Sequence, residues 1–346
     1  MEYRQLGTDG PRVSVIGLGT MTWGEQNTRD EACAQLDMAV DYGVNLIDVA
    51  EMYPVPPRAE TQGRTEEYLG HWLRQRGHHD DLIIASKVAG RADWLPWLRG
   101  GPRLDPASIV AACDASLARM GIDCIDLYQV HWPDRPTNFF GKLGYVDQPD
   151  TDAVAIDVTL EALSRLQRDG KIRHVGLSNE TPWGLAEYLR LSGGDASLAR
   201  VVSVQNPYNL LNRSYEIGLA EFAARSQVGL LAYSPLGFGM LTGKYAKGAR
   251  PAQARLTLYQ RFARYSNPQA LAATELYVDL ARAHGLSPTQ MALAFVNSRP
   301  FLRSNLVGAT SLEQLRENLE SAAVVLSEEV LAGIEAIHQR QPNPAP

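Results

Sequence analysis

Eight short apolar stretches recur along this chain, and each is followed by a stretch with helical spacing. They are VSVIGLG (13–19), VNLIDVA (44–50), LIIASK (82–87), IDLYQVH (125–131), IRHVGLS (172–178), VVSVQ (201–205), GLLAYS (229–234) and NLVGAT (305–310). Most are apolar without interruption, as parallel strands buried on both faces are. The segments between them predict helices over 29–42, 65–76, 106–120, 152–169, 181–192, 215–226, 268–284, 288–298 and 311–322. Thr28/Glu31, Asp105-Pro106 and Ser287/Gln290 supply start signals for three of these. Eight βα units in 346 residues suggest an α/β fold, a closed (β/α)8 TIM barrel. An open doubly wound sheet shares the alternation and stays as the rival, because closure is not written in a sequence. No linker composition interrupts the pattern, so residues 1–346 read as one barrel domain with an irregular tail, QRQPNPAP.

Three connections are long: 88–104, 132–151 and 235–266. All three follow strands. In a barrel that gathers them at the C-terminal strand ends, the face where active sites sit. Long loops in a compact domain are functional or disordered. These carry Trp94, Trp97, Phe139, Phe140, Tyr145 and Phe238, which suit pocket walls better than linkers.

Composition excludes several function classes. The net charge of −6 argues against non-specific nucleic-acid binding. No apolar run reaches the ~18 residues that a membrane span needs. The N-terminus lacks a signal-peptide pattern, so a cytoplasmic protein is expected. Cys33, Cys113 and Cys124 form no metal-ligand spacing, and no metal is expected. Homo-oligomerisation is left open.

Polar residues cluster where the strands end. Asp48 and Tyr53 follow the second strand, Lys87 ends the third, His131 ends the fourth, Asn179 follows the fifth and Gln205 ends the sixth. A barrel would bring them to one mouth. Tyrosine titrates near ~10, so it exchanges protons poorly at neutral pH unless tuned. A nearby Lys87 ammonium is expected to lower that value, with Asp48 keeping the lysine charged. His131 would hydrogen-bond a substrate carbonyl or relay a proton. Each residue alone has an ordinary reading: a cap for Asp48, a packed ring for Tyr53, a snorkelling chain for Lys87, a core histidine for His131. Four titratable groups at three successive strand ends are harder to dismiss. The set suits proton delivery to an oxygen whose charge grows during a reaction.

These residues lie in stretches that resemble the aldo-keto reductases: GLGTMTWG (17–24), NLIDVAEMY (45–53), SK (86–87), DLYQVHW (126–132), GKIRHVGLSN (170–179), VQNPYNLLNR (204–213), AYSPLGFGMLTGKY (232–245) and VGATSLEQLREN (307–318). They run in order along nearly the whole chain. The loops AEMYPVPPRAETQGRTEEY and HWPDRPTNFFGKLGY are similar to the bacterial Tas-type branch, related to the potassium-channel β-subunit group.

The resemblance implies NADPH-dependent reduction of an aldehyde or ketone, with Tyr53 as general acid, Lys87 and Asp48 tuning it, and His131 orienting the carbonyl. It implies NADP(H) as cofactor. Ser178, Asn179 and Gln205 would hold the nicotinamide amide and Tyr233 would stack on its ring; Ser178 reads equally as a cap. Gly19 and Thr20 also match cofactor contacts. Ser234, Pro235, Leu236, Gly239, Leu241, Gly243 and Lys244 belong to the loop that closes over the pyrophosphate. Arg255 matches a position at the adenosine 2′-phosphate. Gly308, Thr310, Gln314, Glu317 and Asn318 match contacts to the adenosine phosphate, although Ser311/Gln314 is also a capping box. Trp23, Tyr53, His131 and Trp132 are expected to wall the substrate pocket.

Two rival functions carry different signatures. A Rossmann dehydrogenase would use GLG as its phosphate turn and Asp48 as its ribose ligand. GLGTMTWG lacks the third glycine of that fingerprint, and Lys87 and His131 go unexplained. An NADPH-binding redox sensor or regulatory subunit would keep the same residues with little turnover.

Overall fold

The computed structural model describes residues 1–346 and closes eight parallel strands into a barrel. A hairpin comes first, β1 (Tyr3–Gln5) pairing antiparallel with β2 (Arg12–Ser14). The barrel strands are β3 (Ile16–Gly19), β4 (Leu46–Asp48), β5 (Ile83–Val88), β6 (Ile125–Val130), β7 (Ile172–Ser178), β8 (Val201–Pro207), β9 (Gly229–Tyr233) and β10 (Leu302–Val307). They neighbour one another in chain order, and β10 returns to pair with β3. The closure makes the fold a (β/α)8 barrel and removes the open-sheet rival.

The helices are α1 (Arg29–Asp41), α2 (Arg64–Arg76), α3 (Pro106–Met120), α4 (Ile156–Arg168), α5 (Pro182–Gly194), α6 (Leu219–Ser226), the short α7 (Arg255–Leu258), α8 (Pro268–Ala283), α9 (Pro288–Asn297), α10 (Leu312–Glu320) and α11 (Glu328–Arg340). Their starts follow sequence chemistry. Thr28 and Glu31 form a reciprocal capping box on α1. Asp105 accepts from the Ser108 N–H on α3, with Pro106 in the first turn. Ser287 caps α9.

Three sequence expectations need correction. VSVIGLG is two strands: Ser14 ends β2, and Ile16 starts β3. At the break the Ser14 N–H donates to Asn45 Oδ1 (2.7 Å), and its hydroxyl donates to the Ile16 carbonyl (2.6 Å). Both halves are apolar, so the break leaves no mark on the pattern. The helix expected over 215–226 breaks at Gly218 into a 3-10 turn (Ser214–Ile217) and α6. Finally, α11 packs against α8 and went unread; it takes in Gln339 and Arg340 of the expected irregular tail, and only residues 341–346 are irregular.

Strand period divides the barrel interior into layers. Leu46, Ala85, Leu127, Val202, Leu231 and Leu306 form an apolar floor, closed from below by Leu6 and Val13 of the hairpin region. Successive side chains alternate faces. Residues two positions further along therefore point inward one layer higher: Asp48 above Leu46, Lys87 above Ala85, Gln129 above Leu127. The outward side chains join the main core between strands and helices.

Helix α2 approaches α3 through Gly70, where a Cβ would sit 2.5 Å from the Met120 carbonyl and 2.6 Å from that of Arg119. Backbone cannot step aside as a side chain can. Gly70→Ala is expected to cost about 2–3 kcal/mol in urea unfolding. Gly193→Ala, near the exposed end of α5 with nothing within 4 Å, is expected to be neutral or to stabilise by up to about 1 kcal/mol.

Candidate active site

The polar layer centres on Asp48. The Lys87 ammonium donates to Asp48 Oδ2 (2.5 Å) and to the Val49 carbonyl (2.9 Å). The other carboxylate oxygen, Oδ1, accepts from Gln129 Nε2 (3.0 Å) and Gln205 Nε2 (2.9 Å). Gln205 also donates to Gln129 Oε1 (3.1 Å) across β7. That approach has room because Gly176 of β7 carries no side chain; a Cβ there would sit 2.9 Å from Ser203 Oγ and 3.0 Å from Gln129 Cγ. Lys87 is fully buried and Asp48 nearly so. Burial draws the ammonium below the ordinary lysine range, and the Asp48 carboxylate opposes that pull.

Tyr53 rises from the turn after β4. The Tyr53 N–H donates to the Ala50 carbonyl, and its own carbonyl accepts from Gly63, so both sides of the residue are fixed. Lys87 Nζ lies 4.8 Å from its ring centroid, in cation–π geometry. The His131 ring stands edge-on at 5.6 Å. The expected lowering of the Tyr53 pKa is not seen: burial and then Asp48 push it above the ordinary phenol value, opposed by Arg255. Lys87 is engaged by Asp48 and faces the ring. Tyr53 is therefore a phenol that keeps its proton. Burial, and then Lys87, hold His131 well below its ordinary value, as a neutral imidazole. His131 Nδ1 is buried without a partner.

Carboxylates fix the surrounding loops. Buried Glu51 binds Arg99 with both oxygens (2.5 and 2.9 Å) and accepts from the Ala89 N–H (2.7 Å), holding the loop after β5. Asp134 binds Arg103 and accepts from the Leu104 and Val154 N–H groups, tying the loops after β5 and β6 together. The fixed sequence spacing of Glu51 from Asp48 gave no hint of this role, since Arg99 lies 48 residues away.

A cavity of about 1150 Å³ opens above this layer. Asp48, Tyr53 and His131 line it, with Trp94, Phe140 and Phe238. Gly19, Thr20, Ser178, Asn179, Gln205 and Tyr233 line it as well. So do Ser234, Pro235, Leu236, Gly239, Lys244 and Arg255, together with Gly308, Thr310, Gln314, Glu317 and Asn318. Asn179 adopts a left-handed backbone (φ +53°), its Nδ2 donates to the His131 carbonyl (2.9 Å), and its Oδ1 accepts from the Tyr233 hydroxyl (2.6 Å). Gln314 Oε1 accepts from the Thr310 N–H and hydroxyl, both at 3.1 Å. Lys244 and Arg255 have no carboxylate partner, and burial lowers both below their ordinary values.

Four expected contacts lie elsewhere. Trp23 is fully buried behind the wall, its indole N–H donating to Gln35 (2.9 Å). Trp132 backs the wall instead of lining it: it donates to the Arg91 carbonyl and packs on Trp94 (5.7 Å), His131 (4.9 Å) and Phe140 (5.6 Å). Leu241 is a core residue, and Gly243 turns the chain beneath the loop with φ +77°. Among the loop aromatics, Trp97, Phe139 and Tyr145 also stay outside the cavity lining. Gln129 was missed, although a glutamine inside an otherwise apolar strand was its signal. Arg264 and the tail residues Pro344–Pro346 also line the cavity unannounced.

Residues 15–339 match the aldo/keto reductase family. The chain belongs to the aldo/keto reductase family. Protein tas of Escherichia coli (strain K12) is 55% identical over 347 residues, covering 100% of both chains. The L-glyceraldehyde 3-phosphate reductase of the same strain is 31% identical over 331 residues, 93% of this chain and 87% of that one. A probable voltage-gated potassium channel subunit beta of Arabidopsis thaliana is 30% identical over 367 residues, 99% and 98% of the two chains. Family membership makes this aldo/keto reductase an oxidoreductase. No helix in it is long and apolar enough to cross a membrane.

The Asp48–Lys87 pair generates a stability prediction. Lys87→Met leaves a buried carboxylate with two amide donors, at an expected cost of about 3–5 kcal/mol. Asp48→Asn added to Lys87→Met is expected to recover more than half of that loss in denaturant titration.

Proposed function

We propose that the protein reduces the carbonyl of an aldehyde or ketone to an alcohol, with NADPH as reductant and Tyr53 as proton donor. The observation that carries this reading is a protonated Tyr53 beside a neutral His131, over a buried Lys87–Asp48 pair, in the lining of one large cavity. When bound, the nicotinamide supplies a hydride to the carbonyl carbon. His131 orients the carbonyl oxygen, and the Tyr53 hydroxyl delivers the proton that oxygen needs as it becomes an alcohol. The phenolate left behind is offset by the nearby Lys87 ammonium, and a proton from solvent restores the phenol. Aromatic walls exclude water from the hydride path.

The cavity fits a dinucleotide phosphate by the chemistry of its donors. Lys244 and Arg255 are cations without counter-ions, and they would hold the 2′-phosphate and pyrophosphate. Ser178, Asn179 and Tyr233 would receive the nicotinamide end. Gln205 is already committed through its amide nitrogen to Asp48, so only its oxygen is free to contribute there. The L-glyceraldehyde 3-phosphate reductase relative supports carbonyl reduction as the reaction class. The channel-subunit relative supports a second reading, an NADPH-binding sensor with little turnover.

Oxidation of NADPH, followed near ~340 nm against a panel of aldehydes and ketones, separates the two. Turnover on any carbonyl supports the reductase; tight NADPH binding with no turnover supports the sensor. Tyr53→Phe is expected to lower kcat by about 10²–10⁴ with NADPH affinity retained. An undiminished rate would remove Tyr53 from the chemistry. Neutralising Lys244 and Arg255 together, as Lys244→Gln with Arg255→Gln, is expected to weaken NADPH binding by about tenfold or more and NADH binding far less. Equal losses for the two cofactors would sink the 2′-phosphate assignment.

A further inference from the structure

Five arginines withdrawn from water outside the cavity are matched by carboxylates. Arg99, Arg103, Arg119, Arg135 and Arg213 keep between 8% and 26% of their side-chain exposure, and they pair with Glu51, Asp134, Glu66, Glu180 and Glu216. The physical reason is general: a guanidinium taken from water needs a counter-charge to offset its lost hydration.

Arg264 departs from this pattern. It lines the cavity and makes no salt bridge, and its Nη1 is buried with no hydrogen-bond partner. Its guanidinium carbon lies 5.9 Å from the ring centroids of both Phe238 and Tyr265. Those rings fix its position and leave its charge unmatched. The cavity's two acidic side chains are engaged elsewhere, Asp48 with Lys87 and Glu317 with Ser287 (2.5 Å); the one other oxygen brought to this spot is that of Pro346 in the tail, 3.1 Å from where a Gly141 Cβ would sit.

Its neighbours connect it to His131. A Cβ on Gly141 would lie 2.7 Å from Arg264 Nε, so the loop after β6 closes directly on the guanidinium. The adjacent Phe140 packs on Trp132 (5.6 Å), and Trp132 packs on His131 (4.9 Å). A continuous wall thus runs from the proposed carbonyl-orienting histidine to Arg264. Lys244 and Arg255 are already assigned to the cofactor phosphates. Arg264 is the remaining half-buried cation, and it stands where a substrate's distal end would reach.

We propose that Arg264 receives an anionic group on the substrate, so that the substrate class is an aldehyde or ketone bearing a carboxylate or a phosphate. The inference rests on the reductase reading of the same cavity. The aromatic wall takes the carbon skeleton, and the guanidinium offers paired N–H donors that match either anion.

The test compares matched pairs with NADPH as cofactor: 4-carboxybenzaldehyde against benzaldehyde, and glyceraldehyde 3-phosphate against glyceraldehyde. The anionic member of at least one pair is expected to show a kcat/KM about tenfold or more above its neutral partner. Which pair shows the larger ratio distinguishes a carboxylate from a phosphate site. The ratio is expected to collapse toward one in Arg264→Gln and to recover in part in Arg264→Lys, with NADPH affinity retained. Equal rates within both pairs, a ratio that persists in Arg264→Gln, or a loss of NADPH affinity in that variant would overturn the assignment. Calorimetric titration of 4-carboxybenzyl alcohol, benzyl alcohol and glycerol 3-phosphate into the NADP⁺-bound protein reads the same contact without turnover. Arg264-dependent anion binding with no turnover leaves the anion site standing and removes the reductase reading. Turnover without any anion preference does the reverse.

Discussion

A buried ammonium on a buried carboxylate organises this protein. Lys87 has no access to water, and Asp48 has almost none. Neither charge is tolerable in that place alone. Their contact requires that β4 and β5 be neighbours and that both side chains face the barrel interior. Gln129 and Gln205 then saturate the remaining carboxylate oxygen, which recruits β6 and β8 to the same point. Four strands thereby converge on one acid. Tyr53 and His131 are arranged over this base: burial, and then Asp48, keeps the phenol protonated, and burial, and then Lys87, keeps the imidazole neutral.

The rim follows a second rule of charge pairing. The long loops after β5 and β6 contain little regular structure, yet each is anchored by arginines on buried carboxylates. Arg99 meets Glu51, Arg103 meets Asp134, and Arg135 meets Glu180. These pairs let long loops follow a defined path at the mouth without helices of their own. The cations inside the cavity differ: Lys244, Arg255 and Arg264 share it without an acidic side-chain partner, and the proposed cofactor and substrate anions would supply their counter-charge.

Much of this was legible beforehand because it is local. Asp105-Pro106 starts α3, and Thr28 with Glu31 starts α1, through contacts within one turn. The strand ends were readable because largely apolar runs reach titratable residues at Asp48, Lys87 and His131. The misses have a common origin in what a neighbour supplies. Trp23 looks like a pocket aromatic until Gln35 claims its indole N–H. Trp132 adjoins His131 in sequence, but its side chain backs the wall while the histidine faces the cavity. The Tyr53 pKa shift was expected downward because a lysine was near; burial and the carboxylate that engages that lysine prevailed.

By itself the sequence determined the repeat, the polar layer and the order of the elements. Strand period two makes Asp48, Lys87 and Gln129 share a face with Leu46, Ala85 and Leu127, whichever sheet they join. Closure lay beyond it, because pairing β10 with β3 joins residues nearly 300 positions apart, and no local pattern encodes that contact. Tertiary structure also decided which charges have partners. Gln205 reaches Asp48 from 157 residues away, and Arg264 meets the loop at Gly141 and the tail at Pro346 without meeting an acidic side chain. Electrostatic environment depends on distance and burial, and both are set only when the barrel closes.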